Sequence, residues 1–578
     1  MRKKNLLFLF IFFTNISFSQ HIGTGSMSNH TIIAKAYGTV YTWGFNDVGQ
    51  LGNGNNNYAN SNVPVAVNTS GVLSGKTITQ VGAGERHSIA LASDGTVYTW
   101  GNNDYGQLGN GNNIQSNVPV AVNTSGVLSG KTITQIGAGQ YHSIALASDG
   151  TVYTWGYNNY GQLGNGDNTD SNVPVAVTTS GVLSGKTITK VAGGANHSIA
   201  LASDGTVYTW GFNEVGQLGN GDYTDSNVPV AVSTSGVLSG KTITQIGAGQ
   251  QHSIALASDG TVYTWGFNGY GQLGNGDNTD SNVPVAVSTS GVLSGKTITQ
   301  VAAGEVHSIA LASDGTVYTW GYNYYGQLGN GNNTNSNVPV AVTTSGALSG
   351  KTITQVACGG NYSIALASDG TVYTWGFNHY GQLGNGTNGT GTDSNVPVAV
   401  STSVMGSLPV EWHSFTAKKQ NNNVLLEWST ASEQNTKDFI VQHSSNGSEY
   451  KNIGNVTAAG NSSTIKYYNC LHTTPIKSNN YYRILQRDLD GKSSYSEVRM
   501  VKLQPTIDKF KITGNPIING QLQITILSAC TLKLYSSDGT ILWSKKFAAG
   551  SQTVDMSKYA KGIYLLKAEG QSEQIVVQ

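Results

Sequence analysis

The chain has 578 residues and a formal net charge of zero, with only 11% charged residues beside 74 Gly, 29 Tyr and 10 Trp. So little charge with so much glycine excludes a helix-rich chain, and the regular recurrence of aromatic and β-branched residues excludes disorder. Residues 21–407 hold 9 Lys and Arg against 18 Asp and Glu, whereas 408–578 hold 19 against 13 without a basic block, so no nucleic-acid binding is expected.

At the N-terminus, Arg2-Lys3-Lys4 precedes the apolar run Leu6–Phe13, and Ser17 and Ser19 stand at the small-residue positions before Gln20. This layout predicts a secretory signal peptide over 1–19, cut between Ser19 and Gln20, with an apolar run too short to span a bilayer. No other membrane span is expected. The three cysteines, Cys358, Cys470 and Cys530, fall in three different regions and do not form a disulfide framework. Cys358 takes the place of Ala83, Ala138, Gly193 and Ala303 in sibling repeats, which reads as a small buried residue.

The next 380 or so residues repeat. "TVYTWG" occurs seven times, with Trp43, Trp100, Trp155, Trp210, Trp265, Trp320 and Trp375 spaced by 55 after a first step of 57. Lys131–Gly185 is one full unit, in which "TITQI", "HSIALA", "TVYTW" and "VPVAV" read as four short strands and Ser148-Asp149-Gly150 as a hairpin turn. Four strands cannot bury both faces of a sheet alone, and packing the sheets around an axis gives a propeller. Seven hairpins meet only six "KTIT" strands, which leaves closure open between a stub at Gln20–Gly23 and residues 404–410.

The combination of His-Ser, "DGTVYTWG" and "GQLGNG" resembles the repeat of the regulator of chromosome condensation family. The resemblance covers about 21–403 and implies a seven-bladed propeller over 20–403. The family's uses are diverse, from nucleotide exchange to light sensing and secreted inhibition of enzymes, so the fold alone decides little. A nuclear role conflicts with the leader.

Several stretches imitate chemical motifs. Gly75-Lys76-Thr77 suggests a phosphate loop, but Gly71 and Gly75 are separated by three residues rather than four, and strand material follows. Five more copies of the stretch make it architecture: a connector leading into an innermost strand. A histidine recurs at His30, His87, His142, His197, His252 and His307, with Tyr362 in the seventh place. Six equivalent copies cannot all be catalytic centres, and an imidazole bonded to neighbouring backbone is the plainer reading, with a functional ring as its alternative. Gly166–Asn172 hints at calcium but lacks the rhythm of a calcium loop, which favours Asp and Asn capping a turn. No metal, cofactor or catalytic residue is expected.

The near-identical copies differ at two places. The residues before each His vary, as in Glu85-Arg86, Gln140-Tyr141, Ala195-Asn196, Gln250-Gln251, Glu305-Val306 and Gly360-Asn361. So do positions after "TWG", including Tyr105, Tyr160, Tyr270 and Tyr325. In related propellers the loop before the His lines a rim used for partners, so Glu85, Arg86, Gln140, Tyr141, Asn196, Gln250, Gln251, Glu305 and Asn361 resemble a binding surface. The competing reading is drift at unconstrained exposed positions, with the tyrosines packed between blades.

After 403 the composition shifts. Residues 408–503 alternate like an antiparallel sandwich, with turns at Asn446-Gly447 and Asp490-Gly491, and are similar to fibronectin type III modules. Residues 504–578, with "LYSSDG", "GIYLLK" and a terminal apolar strand, resemble the type A C-terminal sorting domain of type IX secretion, which implies a Bacteroidetes-type bacterium. The expectation is an all-β chain: a seven-bladed propeller followed by two small β-sandwich domains. It is secreted or on the bacterial cell surface, monomeric and without enzymatic activity, addressed to the type IX machinery by 504–578. Its rim binds a protein, or alternatively a glycan stacked on the rim tyrosines.

Overall fold

The computed structural model describes residues 21–401 apart from 36, 37 and 56. It also describes 411–578 apart from 434, 435, 461, 463, 464, 490–492, 504–507, 518, 538, 569 and 570. The expected leader with its cut at Ser19 and Gln20, and the 404–410 segment offered for closure, lie outside these residues. The chain divides between 407 and 408 into two compact units.

The first unit contains seven four-stranded antiparallel sheets, each built from consecutive strands. In the third blade these are Ile133–Ala138, His142–Ala147, Val152–Gly156 and Ser171–Ala176, from the axis outward. Two bounds differ from the sequence reading by more than one residue. The innermost strand continues through Gly137-Ala138, since small residues keep the pairing to Ile144 and Ser143 where the next blade crowds in. The outermost strand begins at Ser171, because a register shift pairs Ser171 with Gly156. Pro174 lies in this outermost strand, a sheet edge where a missing N–H disturbs no ladder. The Ser148-Asp149-Gly150 turn forms as expected, with Gly150 at φ +84° and the Thr151 N–H donating to Asp149 Oδ1 at 3.0 Å.

The core lies between blades. Ile144, Leu146 and Val152 of the third blade form one apolar cluster with Ile188, Ala200, Tyr208 and Trp210 of the fourth. Each of the seven tryptophans is fully buried. The Trp210 Nε1–H donates to the Gln162 carbonyl of the preceding blade at 2.9 Å. A Cβ at Gly164 would lie 2.7 Å from that indole, so "GQLGNG" is the cap one blade places over the next blade's tryptophan. Burying an aromatic side chain of this size stabilises by roughly 3 kcal/mol, seven times around the ring.

Closure uses the N-terminal stub. His21–Gly23 pairs with His30–Ala34 and completes the first blade, while the seventh draws all four strands from 353–399. Among the described residues no strand is exchanged between first and last blade. The seam between them repeats the others: Trp43 Nε1–H donates to the Gln382 carbonyl at 2.9 Å, and Ile22, Ile33 and Trp43 pack with Ile364, Leu366 and Leu383. The sequence carries this blade too, because "HIGTG" at 21–25 parallels "QIGAG" at 135–139.

In the second unit, strands within 411–502 form a three-stranded sheet and a larger one, with Phe415, Trp428, Phe439 and Tyr482 buried among them. The Asn446-Gly447 turn is present, with Asn446 Oδ1 accepting the Ser448 and Glu449 N–H groups at 3.0 Å. Asp490-Gly491 lies outside the described residues, although its flanking strands pair. Strands within 510–577 form two further sheets around Phe510, Leu522, Leu534 and Leu566, and Gln571–Val577 is the terminal strand.

Candidate functional site

Consecutive antiparallel strands send the first and third loops of every blade to one face of the propeller and the second and fourth to the other. Both variable stretches therefore share a face. Direct contacts confirm it: Arg86 Nη1 reaches Asp47 Oδ2 at 3.1 Å, and the Tyr105 and Tyr141 rings lie 5.3 Å apart. The opposite face carries the hairpin turns and the "SGVLSGKT" connectors. There the lysine that imitates a phosphate loop is engaged: Lys76 pairs with Asp94 at 2.6 Å, and the same bond recurs in the next five blades.

The histidines correct the sequence reading. They bond not to backbone but to the side chain of the next blade's serine: His87 Nε2 lies 3.0 Å from Ser143 Oγ, and His252 Nε2 lies 3.0 Å from Ser308 Oγ. The serine O–H donates to a glutamine carbonyl, as Ser308 does to Gln272 at 3.0 Å, so the imidazole donates from Nε2. Its Nδ1 lies against a glycine; a Cβ at Gly84 would sit 2.4 Å from His87 Nδ1. Complete burial holds His30, His87, His197, His252 and His307 down at about 3 and His142 at about 4. These neutral, enclosed pairs are inter-blade links, and their serines have no exposed oxygen to act as nucleophile. At the closing seam Tyr362 and Thr31 replace the pair: Thr31 Oγ1 donates to the Tyr362 hydroxyl at 2.9 Å, which donates to the His30 carbonyl at 2.7 Å.

On the variable face, the loops before the histidines link through their backbones. Glu85 N–H donates to the Gln140 carbonyl at 3.2 Å, Gln250 N–H to Glu305 at 3.2 Å, Glu305 N–H to Gly360 at 3.0 Å, and Gly360 N–H to Ser28 at 2.9 Å. The first residue of each variable pair thus stands next to its counterpart in the following blade. Gln140 Nε2 donates to Glu85 Oε2 at 2.6 Å, and Asn361 Nδ2 to Glu305 Oε2 at 2.6 Å. Burial, with a smaller contribution from the Glu85 charge, raises the Glu305 carboxyl above the usual carboxylate range. Asn196, Gln250 and Gln251 are half-buried beside them, whereas Val306 is buried.

The rim tyrosines face the same way and do two jobs. Tyr105 packs on Tyr157 of the next blade with centroids 4.8 Å apart, Tyr160 on Phe212 at 4.9 Å, Tyr270 on Tyr322 at 4.8 Å and Tyr325 on Phe377 at 4.7 Å. Tyr380 and Phe45 repeat the contact across the closing seam at 4.4 Å. Tyr105, Tyr160 and Tyr325 remain half-buried and Tyr270 is 40% exposed. The sequence reading missed the inner partners, although an aromatic directly after "TWG" in six of seven copies was visible.

The calcium-like loops are turn caps. Asp170 Oδ1 accepts the Asn158 N–H at 2.7 Å and Asp167 Oδ1 the Thr169 N–H at 2.9 Å. Among the described residues no group of three or more His, Cys, Asp or Glu could hold a metal ion, and no helix is long and apolar enough to cross a membrane. Along the axis, a polar cavity of about 610 Å³ is lined by His21, Gln135, Lys190, Gln245, Gln300 and Gln355, among others. These glutamines reach for the next blade's inner edge: Gln135 Oε1 accepts the Val191 N–H at 3.1 Å while Nε2 donates to the Val191 carbonyl at 3.3 Å.

Residues 19–240 and 69–417 match the family described as RCC1-like domain, and 511–578 match the secretion system C-terminal sorting domain. The ultraviolet-B receptor UVR8 of Arabidopsis thaliana is similar, 36% identical over 371 residues that cover 64% of this chain and 79% of the receptor. The E3 ubiquitin-protein ligase HERC2 of Homo sapiens is 37% identical over 348 residues, which cover 60% of this chain but 7% of the ligase. Among solved structures, Prp20p from Saccharomyces cerevisiae, studied for its binding to Gsp1p and histones, shares a TM-score of 0.55 at 25% identity. That likeness covers 64% of this chain and 86% of Prp20p.

Proposed function

The chain belongs to the RCC1-like domain family, and on that premise we propose that its propeller is a binding module that takes a protein partner on the variable face. The C-terminal region, 504–578, addresses it to the type IX secretion machinery, for release or retention at a bacterial cell surface. One observation carries the reading. Exposed positions on the opposite face change little among copies: Val72, Val127, Val182, Val237 and Val292 are each 41–44% exposed and identical, the sixth copy has Ala347, and the residue that opens each connector is Asn, Thr or Ser. Drift at unconstrained positions would have altered both faces alike, whereas the variable face differs in every blade and the opposite face only by these small exchanges. A glycan needs freely presented aromatic rings, whereas Tyr105, Tyr160, Tyr270 and Tyr325 each pack on an aromatic of the next blade, which favours a protein surface.

The test is site-specific photocrosslinking in the full chain, with p-benzoylphenylalanine at Gln251 on the variable face or at Val182 on the opposite one. One protein captured from Gln251 and not from Val182 is the expected result. Equal capture from both positions, or glycan-array binding abolished by Tyr325→Ala, would overturn it.

A further inference from the structure

The propeller's surplus charge is confined to one face. Of the 18 Asp and Glu in 21–407, six lie in the Ser-Asp-Gly turns, and each of these is ion-paired to a connector lysine. The other twelve all lie in loops of the variable face, where the single basic residue is Arg86. Apart from Lys35, which lies in the first blade's hairpin turn over the Tyr41 ring, the opposite face is thus neutral by pairing, and the variable face is a field of one predominant sign. Glu305 deepens it, since it is largely enclosed beside the axis and meets no cation among the described residues. Enclosing a carboxylate without a counter-charge costs stability unless something else supplies the charge.

The face also contains its own example of what it accepts. Arg86 places its guanidinium 5.5 Å from the centroid of the Phe45 ring and bonds to Asp47 at 3.1 Å, held between an aromatic plane and a carboxylate. The same two ingredients recur around the rim without an arginine. Glu214 follows two residues after Phe212, which packs on Tyr160, and Glu305 accepts from Asn361, whose carbonyl in turn accepts the N–H of Phe377, the ring packed on Tyr325. A guanidinium answers both groups at once, through bidentate bonds to carboxylate and stacking on the ring, which an ammonium does less well.

We propose that the partner of the variable face is an arginine-rich protein segment, seated over the acidic mouth at Glu85 and Glu305 and clamped by the aromatic girdle. This rests on the reading of the variable face as the binding surface. Such a field also speeds encounter, so binding weakens steeply with salt.

The experiment measures fluorescence anisotropy of labelled dodeca-arginine, dodeca-lysine and dodeca-glutamate with the full chain at low and high salt. Dodeca-arginine should bind best and dodeca-glutamate not at all. The double variant E85Q/E305Q should weaken dodeca-arginine on the order of tenfold, and the rim variant E214Q about threefold, while D314N on the opposite face changes it less than about twofold. E214Q alters one exposed carboxylate, so it keeps the test intact should the axial pair disturb folding. No dodeca-arginine binding overturns the proposal alone, provided that Gln251 still crosslinks a protein. Binding that ignores E85Q/E305Q and E214Q but falls with D314N overturns both this proposal and the variable face as the site.

Discussion

The two faces of the propeller are made from the same repeats, yet one is six times nearly the same loop and the other is different in every blade. On the first, each lysine and aspartate find each other within 2.6–2.7 Å, and the exposed valine is kept in five of the six connectors, with Ala347 in the sixth. On the second, the residues before the histidines and after the tryptophans diverge, and the unpaired carboxylates gather. Between the faces runs a seam that permits almost no change, because Trp, His, Ser, Gln and Gly each touch the neighbouring blade. Variation is therefore restricted by contact at the seam, and its concentration on one of the two faces outside the seam marks use.

The seam should dominate stability, and the largest effect tests it. Trp210→Ala should destabilise the propeller by about 3–5 kcal/mol, read as a lower urea midpoint; a loss below about 1 kcal/mol would mean that the blades do not depend on the seam. Acid should act on the same seam. Its histidines have folded pKa values of about 3–4 against 6.5 unfolded, so between these values the unfolded chain binds more protons. Stability is then complete above pH 6.5 and falls as pH drops towards 3, by on the order of 1 kcal/mol per histidine for each unit. Urea midpoints measured from pH 7.5 to 5 check this, and a flat profile would contradict neutral, enclosed imidazoles.

Ser308→Ala should cost about 1–3 kcal/mol, because it strands the His252 Nε2–H and removes a donor from the Gln272 carbonyl. Away from the seam the faces should be nearly silent in stability. D314N should cost at most about 1 kcal/mol, since Lys296 and Asp314 are each more than a third exposed. E214Q should stay within about 0.5 kcal/mol, leaving its effect to binding. A rim substitution as costly as Ser308→Ala would erase the distinction between the variable face and the seam.

Much of this was legible in the residues. Apolar alternation and Ser-Asp-Gly turns located strands, and the 55-residue period counted blades. The parity of four antiparallel strands already implied that both variable stretches share a face. The histidines were less legible, because their partner lies 56 residues ahead in the next blade and no local pattern points to it. The first blade's inner strand was hidden differently: "HIGTG" keeps the small-residue part of the repeat but lacks the "KTIT" lead-in by which the other six are recognised. The rim tyrosines were legible as variable, but not as half-engaged, since that depends on the aromatic of the following blade.

By itself the sequence determined what each repeat could form alone: four short strands, their turns, and a sheet with two faces left to cover. Only the tertiary structure decided what covered them. It placed each histidine on the next blade's serine and closed the ring with three N-terminal residues instead of an exchanged strand. It also left Glu305 enclosed near Glu85. The reason is range: strand and turn preferences act over a few residues, whereas seam, closure and field arise between groups brought together only when seven sheets pack around one axis.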